Sequence, residues 1–205
     1  MSDASATRSA VIELKDERRA MHEGYVFLDE KCLLLAGEIL RELARYGQLQ
    51  RDFLKLHEDA LTALRGAVMR HGLQGLQIYP PVDLSPAQVC TDGRSLMGVR
   101  LQEATFESGD VQAANAVDRS PEAEDCRRAF AAVLAAAAPI AAVSANLERL
   151  SLEYRRAVRR ARALQDVMLP ELDQTIYEID SRLEELERED VVWLRQGAGL
   201  QQAMP

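Results

Sequence analysis

From Val11 onward, apolar residues recur alternately three and four positions apart: Val11, Leu14, Met21, Tyr25, Leu28, Cys32, Leu35, Ile39, Tyr46, Leu49, Phe53, Leu56, Ala60, Ala63 and Ala67. Polar residues stand at two steps of the series, Arg18 and Glu42. Steps of three and four keep side chains on one stripe of a helix, and a stripe sustained over many heptads is a coiled-coil seam. No proline precedes Pro80, and Ala, Leu, Glu, Arg and Lys dominate. The pattern therefore predicts one helix over 8–71, on the order of 90 Å long at 1.5 Å per residue. A second seam runs through Leu147, Leu150, Tyr154, Ala157, Ala161, Leu164 and Met168. It resumes at Leu172 after one extra step of four and continues through Thr175, Ile179, Leu183, Leu186 and Asp190. The irregularity lies beside Pro170, whose missing N–H and ring bulk predict a bend.

Between the seams, 72–120 has another character. Pro80, Pro81, Pro86, Asp92-Gly93 and Gly109 interrupt any helix, and three-four periodicity disappears. Asp92-Gly93, between Gln88–Thr91 and Arg94–Leu101, predicts the turn of a short hairpin, because glycine takes positive φ freely. The expected architecture is mainly α: two long helices forming an antiparallel coiled coil, with a small insert containing a short β-hairpin. This divides the chain into a disordered tail over 1–7, a long helix over 8–71, the insert over 72–120, a second long helix over 121–196, and a flexible tail over 197–205. The two helices count as one coiled-coil domain. Aromatics at only 5% argue independently against a β-sandwich or barrel.

Charge narrows the function. A net charge of −8 opposes sequence-independent binding to nucleic acid, which needs a basic surface. Cys32, Cys90 and Cys126 are odd in number and lack CxxC spacing, so they read as reduced thiols. The first eight residues have no apolar core behind a basic flank and do not read as a secretory signal. The uncharged run Ala129–Ala145 is mostly alanine with Pro139 in its middle. It is shorter than the ~20 strongly apolar residues of a membrane span and is read as a closely packed helix or docking face.

Catalytic signatures are absent. There is no GxxxxGK[ST] loop, no HExxH, and no His-carboxylate pair at helical spacing, so neither cofactor nor metal is expected. No neighbouring histidine activates Cys90 or Cys126. What stands out instead is a basic block, Arg155, Arg156, Arg159, Arg160 and Arg162, followed over Glu171–Asp190 by nine acids against Arg182 and Arg188. A charge-segregated helix is either a solvated face or a surface for a charged partner.

Three stretches resemble the D subunit of the V/A-type rotary ATPases, the central shaft of that motor. One is Leu14-Lys15-Asp16-Glu17-Arg18-Arg19 through Leu28-Asp29-Glu30-Lys31. A second is Leu96-Met97-Gly98-Val99-Arg100 in the insert. The third and most specific is Arg159-Arg160-Ala161-Arg162-Ala163-Leu164, followed by Val167-Met168-Leu169-Pro170-Glu171-Leu172, Thr175-Ile176 and Glu187-Arg188-Glu189. The chain departs from the family at Arg162, Gln165, Ser95 and Pro139. The resemblance implies a non-catalytic rotor that carries rotation between ATP chemistry in an A/B hexamer and H⁺ or Na⁺ movement in a membrane ring. It implies partners in the A, B and F subunits and in the funnel-shaped subunit above the ring, at a cytoplasmic site peripheral to the membrane. Partner-contact candidates are Arg155, Arg156, Arg159, Arg160 and Arg162, with Met97, Gly98 and Val99. The competing expectation is a coiled-coil stalk or scaffold of a flagellar or type III export apparatus.

Overall fold

The computed structural model describes residues 7–77, 79, 84–108 and 119–201, with side chains through Arg195. The described elements are α1 (Arg8–Gln77), β1 (Gln88–Leu96), β2 (Val99–Glu107), α2 (Pro121–Ala163), a π-helical turn (Leu164–Met168) and α3 (Leu169–Gln201). The fold is thus mainly α, two long helices with a two-stranded hairpin between them. Residues 1–6 of the expected leading tail and 202–205 of the trailing one lie outside the described residues. α3 itself continues through Gly197 and Gly199.

Each helix starts and stops for a local reason. The Thr7 hydroxyl accepts the Ala10 N–H at 3.3 Å and caps α1. Gly72, at φ 69° and ψ 167°, leaves helical geometry near the far end of α1, a conformation that costs glycine little. Ser120 caps α2 by accepting the Ala123 N–H at 3.2 Å, with Pro121 at the first helical position and Glu122 and Glu124 near the positive end of the helix dipole. Pro139 sits inside α2 without ending it.

The chain divides into two compact units. In the unit formed by Met1–Leu33 and Arg155–Pro205, the start of α1 lies antiparallel to α3. Val11, Ile176 and Ile179 are buried there, flanked by Leu14 and Leu183. Beside Pro170, where a bend is expected, the helix carries a π-helical turn, in which Leu169 N–H bonds the Leu164 carbonyl five residues back. A π-turn accommodates one extra residue, which accounts for the extra four-residue step in the seam.

The second unit, Leu34–Tyr154, pairs the rest of α1 with α2 and holds the hairpin against both. Leu35, Val99, Leu101 and Leu150 form its main cluster, joined by Ile39, Leu96, Met97 and Tyr154. A smaller cluster packs Ala104 and Phe106 on Ala138 and Ala142. The alanine-rich run, long and apolar enough with its flanks to pass for a membrane span, thus has protein packing on part of its surface.

The hairpin corrects one expectation. Its turn is Met97–Gly98, with Leu96 paired to Val99, while Asp92 and Gly93 lie within β1 opposite Glu103 and Gln102. Met97 at φ 49° and Gly98 at φ 84° supply the two positive-φ positions of a type I′ turn. A turn at Asp92-Gly93 would leave Leu96, Val99 and Leu101 on one strand without the partner that orients them. Burial of those side chains against Leu35 and Leu150 sets the register and outweighs the local turn propensity.

Candidate interaction surfaces

The arginine block lies on the last turns of α2. Ala157 and Ala161 between its members are buried, whereas Arg155, Arg156, Arg159, Arg160 and Arg162 are exposed. Small residues at the helix contact permit close approach, which leaves the arginines standing out on both flanks of the buried line. None of the five forms an ion pair or side-chain hydrogen bond among the described residues. The block is a set of exposed cations with no internal carboxylate.

The acidic segment behaves differently. Asp173, Asp180 and Glu187, each one heptad from the next, pair with Arg18, Lys15 and Arg8 of α1. The Lys15–Asp180 contact is 3.2 Å. The Glu187 hydrogen bond, reinforced by its charge, raises the Arg8 pKa further. Arg18, one of the polar interruptions in the first seam, is thus half-exposed beside its carboxylate partner. Three of the nine acids hold the two helices in register, and the segment is only partly available as an external track.

On the hairpin, the three candidates have different fates. Gly98 is exposed, Met97 is half-buried on the Leu35–Leu150 cluster, and Val99 is buried within it. The turn therefore presents Gly98 and the rim of Met97 outward, while Val99 anchors the strand. All of β1 except Leu96 is exposed.

Below the hairpin lie charges that sequence reading did not single out as a site. Glu38 is 1% exposed and Glu42 4% exposed, one turn apart on α1. Arg94 of β1 donates to Glu38 Oε1 and approaches Glu42 Oε1 at 3.6 Å, and Arg41 reaches Glu38 Oε2 at 2.5 Å from the rim. On the other side, Asn146 of α2, 1% exposed, accepts the Gln102 N–H and donates to the Gln102 carbonyl, both at 2.8 Å. Arg149 donates to the Asn146 side-chain oxygen at 3.3 Å and to the Gln102 side chain at 3.0 Å. Arg45 pairs with Glu103 at 2.8 Å and holds that carboxyl below its ordinary pKa, chiefly through the hydrogen bond. Glu42 in an apolar seam was the one sequence signal of this arrangement; Asn146 stands among ordinary helix residues and gives none.

Chemistry of other kinds finds little footing. Among the described residues, no group of three or more His, Cys, Asp and Glu side chains could hold a metal. All three thiol pKa values are raised: Cys32 and Cys126 mainly by burial, exposed Cys90 mainly by the charge of Glu107. The remaining conspicuous surface is apolar. Leu40, Leu43 and Leu54 on α1 and Val192, Trp193 and Leu194 on α3 are all more than half exposed.

Comparison with known proteins places these features in a family. Residues 10–196 match the family model of the ATP synthase D subunit. The V-type ATP synthase D subunit of Thermotoga neapolitana is 27% identical over 190 residues, covering 92% of this chain and 94% of the relative. The A-type ATP synthase D subunit of Methanopyrus kandleri is 25% identical over 198 residues, 95% of this chain and 85% of the relative. Its A-type counterpart in Pyrococcus horikoshii is 28% identical over 200 residues, 92% of this chain and 90% of the relative. These similarities are to ATP synthase D subunits and give no support to an export-apparatus stalk.

Proposed function

The chain belongs to the ATP synthase D-subunit family, and on that premise we propose that it is the non-catalytic central-stalk rotor of a V/A-type ATPase. In this reading it transmits rotation between ATP hydrolysis or synthesis in an A/B hexamer and H⁺ or Na⁺ translocation in a membrane ring. Its partners are the A, B and F subunits and the funnel-shaped subunit above the ring, and it works on the cytoplasmic side as a peripheral part of a membrane-bound complex. The observation that carries the proposal is the unbroken family match from the first helix through the last. Physical support comes from the seams, since paired helices resist bending and twisting better than loop-linked globules.

Coupling requires the shaft to favour different conformations of the surrounding subunits at different angles. Exposed cations that have no internal carboxylate, Arg155, Arg156, Arg159, Arg160 and Arg162, suit contact with acidic partner surfaces; Met97 and Gly98 offer a second contact point. Charge reversal at Arg155, Arg159 and Arg162 together is expected to lower ATP-driven ion pumping while the chain still folds. A tagged pull-down from gently solubilised membranes tests the assignment. Recovery of A, B and F subunits, with about one copy of this chain per three A/B pairs, is the expected result. Reproducible recovery of export-apparatus proteins instead would remove the motor.

A further inference from the structure

We infer that the hairpin is positioned by a two-sided polar clasp, Arg94 on Glu38 and Glu42 of α1 and Gln102 on Asn146 of α2, which fixes where the Met97–Gly98 turn stands. The two sides grip adjacent rungs of the hairpin. Arg94 is paired across the ladder with Leu101, and the next rung pairs Gly93 with Gln102. Two neighbouring rungs of the ladder are therefore tied, one to each helix of the unit, each by a different kind of bond.

The α1 side is ionic and unusual in its cost. Two carboxylates one turn apart repel each other, and burial removes the water that would screen them. Apolar residues at both places would extend the core; the charges instead specify a position, because the pair tolerates only an arrangement that brings a cation to it. Among the described residues, Arg94 is the cation that meets both carboxylates. Glu42 Oε2 is buried without a hydrogen bond, so Glu42 depends on the charge of Arg94, while Glu38 shares Arg94 with Arg41, which reaches its second oxygen from the rim.

The α2 side is neutral. Asn146 presents one acceptor and one donor to the backbone of Gln102, as a neighbouring strand would, and so covers that edge of β2. Arg149 steadies the amide by bonding Asn146 Oδ1 and the Gln102 side chain. With Arg94 alone removed, the carboxylates lose the cation that lets the hairpin lie over them, and the hairpin would leave α1; a two-stranded ladder by itself is marginal in water. Arg94, Glu38, Glu42 and Asn146 are positioning residues in this sense.

Hydrogen exchange read by mass spectrometry on the full-length chain tests the clasp. Arg94→Gln leaves buried Glu42 without its cation and Glu38 with Arg41 alone, and exchange across 88–107 is expected to accelerate on the order of a hundredfold, with α1 amides over 45–65 unchanged. The triple variant Glu38→Gln, Glu42→Gln, Arg94→Gln removes the stranded charges and is expected to recover most of the lost protection. Unchanged exchange in Arg94→Gln would overturn the inference. So would a triple variant as exposed as the single one, because Arg94 would then act only by filling space. If Arg94→Gln fails to fold, the triple variant decides alone: a folded, protected triple supports the clasp and an unfolded one refutes it.

Discussion

At the scale of single residues, burial and charge decide what each side chain can do. Leu150 is fully buried at the centre of the Leu35–Leu101 cluster, whereas Leu134, on the same helix, is 44% exposed. Leu150→Ala should therefore destabilise the chain by about 2–5 kcal/mol, and Leu134→Ala by less than about 1 kcal/mol. Urea denaturation followed by circular dichroism measures both, and equal losses would contradict the packing described. Cys90 provides a pH-dependent counterpart. Its pKa is raised chiefly by the negative charge of Glu107, so at a given pH less of it is thiolate than in an unperturbed thiol. Glu107→Gln lowers that pKa, and alkylation of Cys90 by iodoacetamide at about pH 8 should become faster, its rate profile moving to lower pH. Peptide mass spectrometry separates Cys90 from the buried Cys32, and an unmoved profile would remove Glu107 as the cause. Residues of this kind were unevenly legible in the sequence. Glu42 announced itself by interrupting an apolar series, while Glu38 and Asn146 drew their importance from a strand fifty or so residues away in the chain, which periodicity does not register.

At the scale of elements, the seams were read almost position by position. Every apolar member of the first seam is buried or half-buried, because a helix repeats its geometry and the pattern needs no knowledge of the partner. The second seam was read less fully: Ile176, buried beside Val11, fell outside it, and Met168 within it is exposed. The hairpin was foreseen but its turn misplaced, since a turn's location depends on which strand residues find a core. Beside Pro170 the structure shows an inserted residue: the π-turn absorbs one residue just before the proline. This has a sharp consequence. Removing Asp166 from the π-turn should convert it to α-helix and leave Leu164 and Leu172 on their original stripes, so the variant should melt within about 3 °C of the parent. Removing exposed Tyr177 from the regular part of α3 instead turns Ile176 by about 100° relative to Ile179, so that the two cannot both stay on Val11. That variant should be severely destabilised. Thermal unfolding of the two deletions side by side is the measurement, and similar melting points would show that the π-turn is not a simple one-residue insertion.

At the scale of the whole molecule, the imbalance between buried and exposed apolar surface is the dominant fact. Among the described residues, the large side chains that are fully buried are few, led by Leu35, Leu101 and Leu150. Leu40, Leu43, Leu54, Trp193 and Leu194 are exposed in larger measure than a lone soluble chain requires. Elongated helix pairs bury less surface per residue than compact domains of the same length, so their stability draws more on what binds them. In the rotor reading, the partner subunits cover this surface, and binding them to the folded state alone raises its stability by RT ln(1 + [L]/Kd). At a partner concentration of about 100 Kd the gain is about 2.7 kcal/mol, enough to lift the melting temperature of a chain this size by roughly 5–10 °C. Adding the purified F partner to the full-length chain in a thermal scan checks this directly. A shift that grows with the logarithm of F concentration is the expected outcome. If the melting temperature stays fixed under conditions where the two proteins co-elute, F does not bind the folded state in preference to the unfolded one. The exposed leucines of α1 would then have to be covered by another partner or be tolerated in solvent. Repeating the scan with Arg155, Arg159 and Arg162 reversed asks which surface F occupies. An unchanged shift shows that F does not need those arginines, and a lost shift assigns them to its contact.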